Sequence, residues 1–123
     1  LRTPKNALII GTLSLVVWMD DPDAAGFVHW LVYGIPAASE GIDEAMPAAA
    51  EGVEGIRQGV NSFGSIGYGG PCPPSGTHRY VVRLTALDLA LDLEAGADGE
   101  ALAEAMRGHV LGEASLRRSY TRP

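Results

Sequence analysis

The patterning of the first third of the chain is that of strands. Residues 13–19 (LSLVVWM) are nearly continuous in apolarity and rich in β-branched and aromatic side chains. That predicts a strand buried on both faces and central in its sheet. Residues 27–35 (FVHWLVYGI), closed by Pro36, predict a second. The link between them, DDPDAAG (20–26), is built of turn formers. Strand character returns at 78–89, where His78, Tyr80, Val82, Leu84 and Ala86 would share one face and Arg79, Val81, Arg83, Thr85 and Leu87 the other. Residues 109–120 alternate again and predict a last strand. Before it, Asp98 reads as an N-cap, Glu100 suits the first turn and Leu102 pairs with Met106 at i,i+4. Arg107 complements the C-terminal end and Gly108 supplies the stop, so one helix is predicted over about 99–107.

Between these elements lie long connections. Residues 37–59 are Ala-, Glu- and Gly-rich and predict a surface loop leading to a short strand near EGIRQGV (54–60). NSFGSIGYGGPCPPSGTHRY (61–80) is too rich in glycine and proline for regular structure and reads as a shaped loop. The expected architecture is a single domain over 1–123, mainly antiparallel β, of sandwich type, with one peripheral helix.

Composition agrees: 46% of residues are apolar and 20% charged, which is globular, and 16 Gly with 8 Pro imply many turns. The net charge of −6 comes with no basic stripe, which excludes nucleic acid as a partner. An anion would have to be held locally, by backbone N–H groups, a His or an Arg. The single cysteine, Cys72, excludes an intrachain disulfide and fits a reducing cytosol. Residues 6–19, with Arg2 and Lys5 ahead, have some likeness to a signal-peptide core. DDPD follows where a small-residue cleavage site would stand, and the run is too short and broken to span a membrane. The expected location is cytoplasmic.

Taken singly, the chemistry-bearing residues are unremarkable in pattern. Asp21, Asp23, His29, His78 and His109 could ligate a metal, but no two histidines have the spacing that sets them on one helix face, and no metal or cofactor is expected. Cys72 lies among prolines in GPCPP, a poor place to borrow a helix dipole for thiolate formation, and SFGSIG is no nucleophile elbow. GSIGYGGP lacks both phosphate-loop spacings, although glycine N–H groups can cradle an anion in any fold. His29 alone reads as a hydrogen-bonded core residue, Asp21 and Asp23 as turn braces, and Arg79 as an ion-pair partner for Asp23.

Together they read differently. DPDAAGFVHWLVYGIP, GVNSFGSIGYGGPCPPSGTHRYVVRLTALD and LAEAMRGHVLGEASL, in that order, resemble the phosphatidylethanolamine-binding protein family, that of Raf kinase inhibitor protein, in its bacterial and archaeal branch. The resemblance covers about residues 12–120. It implies an antiparallel β-sandwich with Greek-key connections and a small pocket for anions such as phosphate, phosphoethanolamine or acetate. Matched to the motifs, that pocket would draw on Asp21, Asp23, His29, Gly69, Gly70, Pro73, Pro74, His78 and Tyr80, with Arg79 bracing the two signature segments against each other.

Three departures stand out. The family's second proline in the DPD turn is Ala25 here, its usual Asn after the His strand is Gly34, and its N-terminal segment has no counterpart before Leu1. The last leads to the expectation of uncovered sheet edges and a homodimer that covers them. The function implied is an anion- or phosphate-headgroup-binding protein that modulates a kinase or a protease. The alternative is an enzyme of small-molecule biosynthesis, a cyclase, isomerase or dehydratase, with Asp21 and His29 as its acid–base pair.

Overall fold

The apolar run expected to be central is central. In a computed structural model of the chain, which describes residues 10–38, 55–69 and 77–121, the elements are β1 (Ser14–Asp21), β2 (Phe27–Pro36), β3 (Arg57–Gln58), β4 (Thr77–Leu87), α1 (Gly99–Met106) and β5 (Val110–Thr121). The strands form one five-stranded sheet in the order β3-β2-β1-β4-β5, every neighbour antiparallel. Strands β1 to β3 follow one another across the sheet and β4 returns to lie beside β1, which is a Greek key. The described residues are thus mainly antiparallel β with one α-helix. The second sheet of a sandwich is not among the described residues, and of the connection expected over 37–59 residues 39–54 fall outside them.

Both faces of the sheet are covered, which is why Leu15–Met19 of β1 reads as an unbroken apolar run. One face gathers Leu15, Val17, Met19, Trp30, Val32 and Tyr80, with Tyr68 packed against them. The other gathers Val16, Leu31, Tyr33 and Leu87 with Leu91 and Leu102. Leu102 is the one buried residue of α1 and anchors the helix to that face; full burial of such a side chain stabilises by roughly 1.5–3 kcal/mol. The helix starts as predicted, with the Asp98 carboxylate accepting from Ala101 N at 2.9 Å, and ends at Met106, one residue short of the expectation.

The segment after β4 is tied down by side chains. The Tyr33 hydroxyl donates to Glu94 O (2.5 Å) and accepts from Ala97 N (3.2 Å). Arg57 lies over the Tyr33 ring, 5.7 Å from its centre, and donates to the carbonyls of Leu91 and Leu93.

Two bulges interrupt β2. Leu15 faces Ile35 but Val17 faces Val32, so β2 holds one extra residue there. Gly34 sits in that bulge with φ 68°, and a β-carbon on it would come within 2.8 Å of the Arg57 guanidinium. The glycine that departs from the family pattern is therefore the residue this crossing requires. The second bulge matters more. Met19 faces Trp30 while Asp20 faces Val28, which leaves His29 as the unpaired extra residue.

Candidate functional site

The bulge at His29 resets the alternation of β2. Without it Val28 and Trp30 would share a face; with it Val28 packs beside Leu102 and Trp30 on the opposite side. A bulge of this kind re-aims a side chain and frees backbone groups from the ladder. The freed groups of His29 are taken up by Gly69. Gly69 N donates to His29 O at 2.8 Å, and the His29 Nδ1 lies 2.6 Å from Gly69 O. A carbonyl oxygen can only accept, so Nδ1 carries the proton in this contact and Nε2 is the nitrogen left for a ligand. Neutral His29 therefore offers a ligand a lone pair; only the imidazolium offers an N–H.

Aromatic rings surround this imidazole. Tyr80, buried on β4, meets it edge-on at 5.1 Å between ring centres; Phe27 and Phe63 stand at 5.1 and 5.7 Å. Tyr80 arrives here because β4 pairs with β1, with Val81 opposite Asp20. Asp21, the last residue of β1, continues the face of Leu15, Val17 and Met19 by strand alternation and is 2% exposed. Its carboxylate accepts from Asp23 N at 2.8 Å and caps the 3-10 turn Pro22–Ala24. The sheet thus brings Asp21, His29 and Tyr80 to one end of three adjacent strands.

The turn beyond Asp21 is fastened to β4. Both oxygens of Asp23 accept from Arg79: Oδ2 from the backbone N (2.8 Å) and Nε (3.2 Å), Oδ1 from Nη2 (2.9 Å). This hydrogen bonding, with the charge of Asp23, holds the Arg79 guanidinium above its already high ordinary range. A raised cation keeps its stabilising charge at every pH below that range, so the Arg79 side of the pair does not titrate under working conditions. Next along the strands, Asp20 accepts from Arg83 at 2.7 Å. The turn itself holds no cis bond among the described residues, and Ala25 stands at φ 54°.

Not every residue singled out in the sequence can be placed. Gly70, Cys72, Pro73 and Pro74 lie outside the described residues. The His78 backbone runs in β4 opposite Tyr120, and its side chain lies outside them. His109 pairs with Asp88 (2.8 Å) at the far end of β4 from Tyr80. Among the described residues no three His, Cys, Asp or Glu side chains gather as a metal site, and no helix is long and apolar enough to cross a membrane.

Sequence reasoning missed the support. Asn61 is buried; its Oδ1 accepts from Phe63 N (3.0 Å) and Ser65 N (3.2 Å), and its Nδ2 donates to Gly67 O (2.9 Å). Ser62 bonds Val28 twice: its N donates to Val28 O and its Oγ accepts from Val28 N, each at 2.8 Å. An Asn heading a Ser-Phe-Gly run is an Asx-turn signal, and it was there to be read.

A sequence profile described as phosphatidylethanolamine-binding protein matches residues 3–121. The chain belongs to that family. Among its relatives is a UPF0098 protein of Methanothermobacter thermautotrophicus, 53% identical over 111 residues that cover 89% of this chain and 74% of the relative. Two solved structures of the phosphatidylethanolamine-binding protein family superpose closely. One is the homologue CT736 of Chlamydia trachomatis, with TM-score 0.80 and 35% identity, covering 94% of this chain and 76% of that one. The other is Escherichia coli YBCL, described as a member of the mammalian family, with TM-score 0.83 and 28% identity, covering 94% and 75%.

Proposed function

We propose that the chain is a binding protein whose pocket, at the Asp21–His29–Tyr80 end of the sheet, takes a small anion or a phosphate headgroup. The observation that carries this reading is the His29–Gly69 clamp. It fixes one imidazole nitrogen on a carbonyl and leaves the other to donate, once protonated, a charge-assisted hydrogen bond to an oxyanion. Gly70, Pro73, Pro74 and His78 complete the pocket in this reading, and Asp23 with Arg79 positions it. Asp21 would receive the ammonium of a zwitterionic ligand such as phosphoethanolamine.

Binding is favoured over catalysis because Asp21 already caps the adjacent turn, which suits a fixed acceptor better than a group that must gain and lose protons. Titration of the folded protein with inorganic phosphate and phosphoethanolamine, followed by NMR, tests the reading. Shifts should centre on His29, Gly69 and Tyr80 and vanish in His29→Ala. Absence of any shift at millimolar ligand would refute it. Modulation of a kinase or protease, cytoplasmic residence and a homodimer belong to the same reading. A pull-down that survives His29→Ala would separate the protein partner from the pocket, and light scattering would return a monomer mass if the dimer is wrong.

A further inference from the structure

The ligand's chemistry is constrained by a ring that the anion site does not need. Phe63 is 55% exposed, whereas Trp30, Tyr33 and Tyr80 are buried. An exposed apolar side chain alone calls for no explanation. Phe63 differs in how firmly it is held and where. Its backbone N donates to the buried Asn61 carboxamide, and the residue before it, Ser62, is bonded twice to Val28, the neighbour of His29. The backbone that carries the exposed ring is therefore tied to the strand that carries the imidazole.

Its surroundings are shaped to receive it. The Phe63 ring meets Phe27 edge-on at 4.8 Å between centres and His29 at 5.7 Å. It lies so close over Gly69 that a β-carbon there would fall 2.6 Å from Cδ2. The residue that clamps His29 thus also vacates the space for Phe63. Two phenyl rings and an imidazole form one aromatic cluster, open to solvent at Phe63.

We propose that Phe63, with Phe27 beside it, is a platform for an aryl group carried by the same ligand whose anion meets His29, so that the ligand class is a small aryl-bearing anion rather than a bare oxyanion. The inference rests on the anion-binding reading. An aryl group is favoured over an alkyl one because the cluster offers ring edges and faces in the tilted geometries that aromatic pairs prefer. Phe63 acts here as a specificity residue, adding contact to ligands that His29 already holds.

Phenyl phosphate and methyl phosphate carry the same headgroup and separate the two contributions. NMR titration of the wild-type chain should show phenyl phosphate binding on the order of tenfold tighter than methyl phosphate. In Phe63→Ala the gap should shrink to about twofold or less, with methyl phosphate affinity almost unchanged. Phe63→Leu, which keeps an apolar side chain, should retain only part of the advantage. Equal wild-type affinities, or an advantage that survives in Phe63→Ala, would overturn the platform and leave the anion site standing. Failure of both phosphates to bind would overturn both. A melting curve for each variant shows that the readings come from folded protein.

Discussion

Two glycines in this fold should respond very unequally to the same added methyl. Neither Gly59 nor Gly69 has a positive φ, so alanine fits either backbone and the effect is steric. At Gly69 the new β-carbon would sit 2.6 and 2.7 Å from Phe63 Cδ2 and Cε2, against an optimum of roughly 3.5–4.0 Å for carbon pairs. The ring must recede by about 1 Å. It can, because it is half exposed and rotates about χ1. The loss is its edge-on contacts with Phe27 and His29, about 0.5–1.5 kcal/mol each, offset by about 0.4–1 kcal/mol from a stiffer unfolded chain. Gly69→Ala should therefore cost about 1–2 kcal/mol. At Gly59 the β-carbon would meet Ala97 O at 2.4 Å and the fully buried Leu31 at 3.1 Å. That carbonyl is held by Val60 N at 2.8 Å, so nothing can give way cheaply. Overpacking plus a lost buried hydrogen bond puts Gly59→Ala at about 3–5 kcal/mol. Urea unfolding followed by tryptophan fluorescence measures both, and NOEs between the Phe63 and Phe27 rings report whether the ring has moved. A Gly69→Ala protein as unstable as Gly59→Ala, or one whose ring NOEs are unchanged, would refute the reasoning.

The other predictions address the supports of the fold. Tyr33→Phe strips partners from Glu94 O and Ala97 N and should cost about 2–3 kcal/mol in urea unfolding; a loss under about 0.5 kcal/mol would show that water replaces the hydroxyl. Leu102→Ala should cost about 2–5 kcal/mol and speed hydrogen exchange across α1 before the sheet, whereas uniform exchange would show that the helix does not open alone. Asp98→Ala should cost about 1 kcal/mol by removing the helix cap, with recovery in Asp98→Ser.

What could be read from the sequence is what depends on one element at a time. Residues 13–19 are apolar but for Ser14 because β1 has a neighbour on each side and a covered layer on each face. Asp98 and Gly108 mark the helix because caps are local. The bulge at His29 could not be read, since an extra residue exists only relative to the partner strand, and β2 taken alone looks like one regular strand. For the same reason Val28 and Trp30 seem to share a face in the sequence and do not in the fold. Phe63 was lost in a glycine-rich stretch with no period to place it. Its seat is made by Gly69, six residues later, through contacts that no alternation pattern encodes.

The turn at Ala25 shows how far the family pattern can be carried to this chain. Proline fixes φ near −65°, and Ala25 stands at 54°, so a proline could not follow this backbone. A relative with proline here must leave β1 by another path. The constraint that keeps the turn in place is two positions away from that change: Asp23, bound through both oxygens to Arg79 at the start of β4. Asp21 is held independently, by the ladder and by its own cap on Asp23 N. The path through residues 24–26 can therefore differ among relatives while Asp21, His29 and Tyr80 keep their places. Under the proposed reading, a change of path at this turn would reshape the mouth of the pocket and leave Asp21, His29 and Tyr80 in place, so that the range of ligands could change without loss of the proposed anion contact.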